Sequence, residues 1–143
     1  MDAKKLGWCF DQNKGIKIIK PNENLSKDYI ISAEETLLIL QDTIGKSNMW
    51  LAVTQYYCEY FCIYSLLMKL GIKSEIHDCT IELCRFLEEK KLIPVGSFKM
   101  IETDKQLRID NQYYLKNKKL DFDFSRLRNF ILNVKAKVNS ITL

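Results

Sequence analysis

The sequence predicts an all-α fold: an antiparallel four- to five-helix bundle with a short N-terminal extended or hairpin segment. Three observations carry this. Apolar residues recur at spacings of three and four through most of the 143 residues, which is the period of an amphipathic helix. Glycine and proline are scarce, five and two, and many-stranded β proteins need more turns than these supply. Hydrophobic residues at 47% and charged residues at 28% give the balance of an ordinary globular domain. The length suits one such domain. The expected division is residues 1–25 as the N-terminal segment and 26–143 as the helical bundle.

Taken in order, Trp8 and Phe10, then Ile16 and Ile18, alternate around Gln12-Asn13-Lys14-Gly15, a hairpin pattern closed by Pro21-Asn22. Ile30, Ala33, Leu37, Leu40 and Ile44 then form one helical stripe. They predict a helix over 26–45, with Ser26 as N-cap and Gly45 just past its end. A second helix starts at Ser47 or Asn48 and runs to Leu70, before Gly71. It carries two apolar stripes, Trp50-Val53-Tyr57-Phe61-Tyr64-Met68 and Tyr56-Tyr60-Ile63-Leu67, and a narrow polar strip, chiefly Gln55 and Glu59. A helix apolar on nearly every side is buried on nearly every side. It is either the centre of the bundle or in contact with a second subunit.

The third helix is expected over 75–91, capped by Ser74 or Asp78, with Ile76, Thr80, Leu83 and Leu87 on one face. After Leu92-Ile93-Pro94-Val95-Gly96, Ser97 can cap a fourth helix over 98–117. The last starts near Asp123 or Ser125 and buries Phe124, Leu127, Ile131, Val134 and Val138. The fourth helix is unusual because polar groups interrupt its stripes. Arg108 has Asp104 one turn before it and Asn111 and Gln112 one turn after it. Side chains at those spacings share a face. They form either a half-buried polar network or a solvated face with one ion pair.

Several function classes fall away. One histidine, His77, excludes a multi-histidine metal centre within one chain. The five cysteines (Cys9, Cys58, Cys62, Cys79, Cys84) contain no CxxC pair, so no metal is expected. The N-terminus shows no apolar leader, so reduced, mostly buried thiols in a cytoplasmic protein are expected. Gln55, Glu59 and Lys69 interrupt the most apolar stretch, which argues against a membrane span. No phosphate-binding glycine loop or dinucleotide fingerprint is present, and no cofactor is expected. The net charge of +4 is uneven. Residues 22–45 hold five acids and one base, whereas 116–143 hold seven bases and two acids. That basic end can meet phosphates or the acidic first helix. Membrane-surface binding through it is weaker, since it lacks an interfacial tryptophan.

Three segments resemble a known family. Trp50-Leu51-Ala52-Val53-Thr54-Gln55-Tyr56-Tyr57, followed by Tyr64 through Leu70-Gly71-Ile72-Lys73-Ser74-Glu75-Ile76-His77, resembles the core of the HEPN domain (higher eukaryotes and prokaryotes nucleotide-binding). The likeness is to its small stand-alone archaeal and bacterial branch. Gln106-Leu107-Arg108-Ile109-Asp110-Asn111-Gln112-Tyr113-Tyr114 is similar to that branch's arginine-containing helix. The resemblance covers about residues 26–138. It implies a helical bundle that forms a homodimer and associates with RNA or nucleotides. It also implies a minimal nucleotidyltransferase as a partner, the pairing of many toxin-like relatives.

Catalytic relatives carry Arg and, four to six residues on, His at a dimer interface. Arg108 matches the Arg, but Tyr113 stands at the nearest His position. A tyrosine with a reference pKa of about 10 is a poor base, which argues against metal-independent RNA cleavage. By this resemblance Arg108 would bind the scissile phosphate. Tyr113, Asn111, Gln112 and Asp104 would shape the pocket. His77, at a helix start that disfavours imidazolium, is the one candidate base. The alternative is a noncatalytic assembly module. Arg108 is then structural, paired with Asp104 or Asp110, and His77 fixes a helix corner.

Overall fold

The stretch that is apolar on nearly every side forms the axis of the molecule. In the computed structural model, which describes residues 3–142, this is α3 (Asn48–Leu70). It packs against α2 (Glu23–Thr43), α5 (Ser97–Gln112) and α6 (Phe124–Ser140). Around these lie α1 (Ala3–Asp11), β1 (Ile16–Ile18), β2 (Ile72–Ser74) and α4 (His77–Glu89). The described residues are therefore mostly helical, with one two-stranded sheet. None of their helices is long and apolar enough to cross a membrane.

Local signals explain the helix ends. Ser47 accepts a hydrogen bond from the Trp50 N–H at 3.1 Å, and Asp123 accepts one from the Arg126 N–H. Both satisfy N–H groups that a helix start leaves open. Gly71 ends α3 at φ +83°. A Cβ there would stand 2.5 Å from the Ile19 carbonyl oxygen, so glycine both turns the chain and lets β1 lie against β2. Helices α2 and α3 run antiparallel, since Glu23 meets Lys69, Ser26 meets Ser65 and Ala33 meets Cys58. Ser26 is buried in that contact, where each serine hydroxyl bonds the other's carbonyl at 2.7 Å. The N-cap is instead Asn22, four residues earlier than expected.

Three further expectations are corrected. The N-terminal hairpin does not form. Residues 3–11 are helical because Leu6 and Cys9, three apart, bury together, while Trp8 and Phe10 stay about half exposed. The strand that follows pairs with distant β2, in the register Ile16↔Ser74, Lys17↔Lys73, Ile18↔Ile72. Cys9 and Cys79 are joined in a disulfide, with Cα atoms 5.8 Å apart, because α1 lies across the start of α4. The other three thiols are free and buried, as expected. Finally, α5 stops at Gln112 rather than 117. Leu115 and Asn117 take positive φ, and Asn111 clamps the backbone of Lys118 through two hydrogen bonds.

The core gathers Tyr56, Leu40, Ile63, Leu66, Leu67, Leu87, Ile101 and Val134, all almost wholly buried. Each large apolar side chain so buried stabilises the fold by about 1.5–3 kcal/mol. The Tyr56-Tyr60-Ile63-Leu67 stripe of α3 is buried within the chain, whereas on the other stripe Trp50 is 53% exposed and Tyr57, Phe61 and Tyr64 are half-buried. Tyr60, for example, is buried, so the central-helix alternative describes its stripe.

Candidate functional site

The Tyr56-Tyr57 pair of α3 brings the first residue of α4 and the arginine of α5 together. Tyr56 Oη lies 2.8 Å from His77 Nδ1. The Arg108 guanidinium carbon sits 4.7 Å above the Tyr56 ring, and one of its terminal nitrogens donates to Tyr57 Oη at 3.1 Å. A guanidinium over a tyrosine face is held by the ring quadrupole. Arg108 and His77 therefore meet around one tyrosine pair in a single chain, without a second copy.

His77 also stacks on Tyr60, with ring centroids 4.3 Å apart and planes 14° apart. Beyond it, Tyr60 Oη donates to Thr80 Oγ1 at 3.2 Å, and Tyr64 Oη donates to the Ser74 carbonyl. Burial above all, then the positive charges of Arg108 and Lys105, hold His77 below its ordinary value. The imidazole is neutral at pH 7. Burial raises the Tyr56 and Tyr60 hydroxyls above the usual phenol range, so both stay protonated.

The outer edges of the Tyr60 and His77 rings open on a cleft of about 450 Å³, lined also by Tyr29, Tyr57, Phe61, Tyr64 and Lys73. Its volume lies in the range of small-molecule sites. The walls are aromatic, and the rim carries Lys73 and Glu75. Such a cleft can stack planar rings, and a neutral imidazole in its wall can accept or donate one hydrogen bond.

The remaining predicted residues are divided. Asp104 faces Glu59 across the α3–α5 seam. Burial first, then the charge and hydrogen bond of Asp104, push the Glu59 carboxyl well above the ordinary carboxylate range. Arg108 bonds Tyr57 and not Asp104 or Asp110; Asp110 instead takes Lys118 at 2.7 Å. Asn111 is committed to the Lys118 backbone and holds the loop after α5. Tyr113 is exposed, with its ring 5.7 Å from the Arg108 guanidinium carbon. Gln112 Oε1 is buried without a protein partner, as are Gln55 Oε1, Glu59 Oε1, Asp104 Oδ2 and Arg108 Nε.

Sequence reasoning missed two things. Gln55 and Glu59, the expected polar strip of α3, are 4% and 1% exposed. Glu59 faces Asp104 of α5. The matching four-residue spacings on the two helices were the available signal. The second is Tyr56, read as core or subunit contact. It is core, but its hydroxyl also positions His77. Comparison with known proteins finds no matching family model, no matching curated protein and no matching solved structure.

Proposed function

We propose that the protein is a HEPN-like helical dimer that binds RNA or nucleotides, and that it acts as the toxin-like partner of a minimal nucleotidyltransferase. One observation carries the binding part of this reading. Arg108 and His77 converge on the Tyr56-Tyr57 pair beside an aromatic-lined cleft. Base–aromatic stacking contributes about 1–3 kcal/mol per base and tolerates any sequence. The tyrosine rings suit that task, and the neutral imidazole adds a hydrogen bond to a base or a ribose hydroxyl. Cleavage is the weaker part. Tyr113, at the expected His position, is exposed, Arg108 is buried and bonded to Tyr57, and His77 Nδ1 is engaged with Tyr56 Oη.

The test is a titration of fluorescein-labelled single-stranded RNA by fluorescence anisotropy, with gel analysis of the same RNA. Saturable binding without cleavage is expected, weakened at least tenfold in Phe61→Ala. Absence of saturable binding refutes the reading. A second reading, the noncatalytic assembly module, draws on the burial of Arg108 and on Ile31, Leu38 and Ile39, all more than half exposed on α2. Under it, Leu38→Glu changes the sedimentation of the protein while RNA binding is nil.

A further inference from the structure

We propose that Lys17 and Lys73, side by side on the two-stranded sheet, hold the backbone phosphates of a single-stranded RNA whose bases enter the aromatic cleft. This rests on the RNA-binding reading and deepens it.

The register places Lys17 directly opposite Lys73 on neighbouring antiparallel strands. Directly opposed side chains share a face, with Cβ atoms about 4.5–5.5 Å apart, and like charges in that position are destabilising. The pairing is costly by itself and becomes favourable when an anion lies between the two ammonium groups. What surrounds the lysines leaves room for one. Lys17 Nζ donates to a neutral acceptor, the Phe10 carbonyl, at 3.2 Å. Lys73 Nζ lies 3.1 Å from Glu75 Oε1, in a pair whose two side chains are 51% and 41% exposed. Pairs that exposed are weak, so a phosphate displaces Glu75 readily.

The position matters as much as the charge. Lys73 and Glu75 line the same cleft as Tyr57, Phe61 and Tyr64, so β2 is its rim. Arg108, the arginine singled out by sequence, is 7% exposed and already bonded to Tyr57. A phosphodiester running over the surface meets the two lysines before it meets the arginine.

The experiment measures the affinity of a labelled eight-nucleotide single-stranded RNA across a salt series, with melting curves confirming the fold of each variant. Each phosphate contact on a single strand contributes about 0.7 to the slope of log affinity against log salt. The double change Lys17→Gln with Lys73→Gln is expected to reduce the slope by about 1.4 and to weaken binding at least tenfold at low salt. Glu75→Gln is expected to tighten binding, and Lys99→Gln on α5 to leave it unchanged. A folded double variant with the wild-type slope overturns the lysine assignment and leaves the cleft reading standing. Wild-type protein that fails to bind the RNA overturns both, including the outcome in which it binds phosphatidylserine vesicles instead.

Discussion

Helix α3 carries two polar clusters on neighbouring faces, and they are built in opposite ways. On the aromatic face, Tyr56, Tyr60 and Tyr64 each place a hydroxyl on a partner: His77, Thr80 and the Ser74 carbonyl. On the face toward α5, five buried polar atoms of Gln55, Glu59, Asp104, Arg108 and Gln112 have no protein partner. A buried group left unmet costs about 1–3 kcal/mol, more than a typical hydrogen bond contributes. The aromatic face is thus the ordered wall of the cleft, while the α5 seam draws on the stability of the surrounding core. Rigid walls suit a recognition surface, because less freedom is lost on binding.

The two clusters also respond to pH with opposite sign. Glu59 has its folded value raised from 4.5, so the folded state binds that proton more tightly than the unfolded chain. Its contribution is complete below about pH 4.5 and is lost as pH rises toward the raised value. His77 has its folded value lowered from 6.5, so the unfolded chain binds the proton more tightly. Stability therefore falls as pH drops from about 6.5 toward the lowered value.

Three substitutions test this contrast. The largest effect is expected at Tyr56, the side chain that touches both Arg108 and His77 and is fully buried. Tyr56→Ala should cost about 3–5 kcal/mol in urea denaturation; a loss below about 1 kcal/mol means that the tyrosine does not join the clusters. Next is Glu59→Gln, which keeps the shape and removes the charge. Stability at pH 8 should rise by about 1–3 kcal/mol, with little change near pH 4. A loss at pH 8 shows that the ionised carboxylate is wanted in the seam. Smallest is His77→Gln, which should remove the acid-side decline between pH 6.5 and 5. The gain there should be no more than about 1 kcal/mol, because the ring is partly solvated. An unchanged decline assigns it to other groups.

Much of the fold was legible and less of the site. The caps Ser47, Gly71 and Asp123, the stripes of α2, α4 and α6, and the central place of α3 could all be read from residues within a turn or two of one another. Arg108 and His77 stood out by residue type, and Tyr56-Tyr57 by resemblance. That these four converge was not readable, because 21 residues separate Tyr56 from His77 and 51 separate Tyr57 from Arg108. Asn111 and Asp110 carry the same polar pattern as Arg108 but hold the loop after α5.

By itself, then, the sequence determined the helical period, both ends of α3, the start of α6 and the buried character of α3. These depend on backbone hydrogen bonding and side-chain spacing along one segment. Only the tertiary structure decided that Cys9 meets Cys79, that Lys17 lies against Lys73, and that Gln55 and Glu59 turn inward. Each of these pairs groups from separate elements. Its energy depends on how the helices pack, which no local pattern encodes.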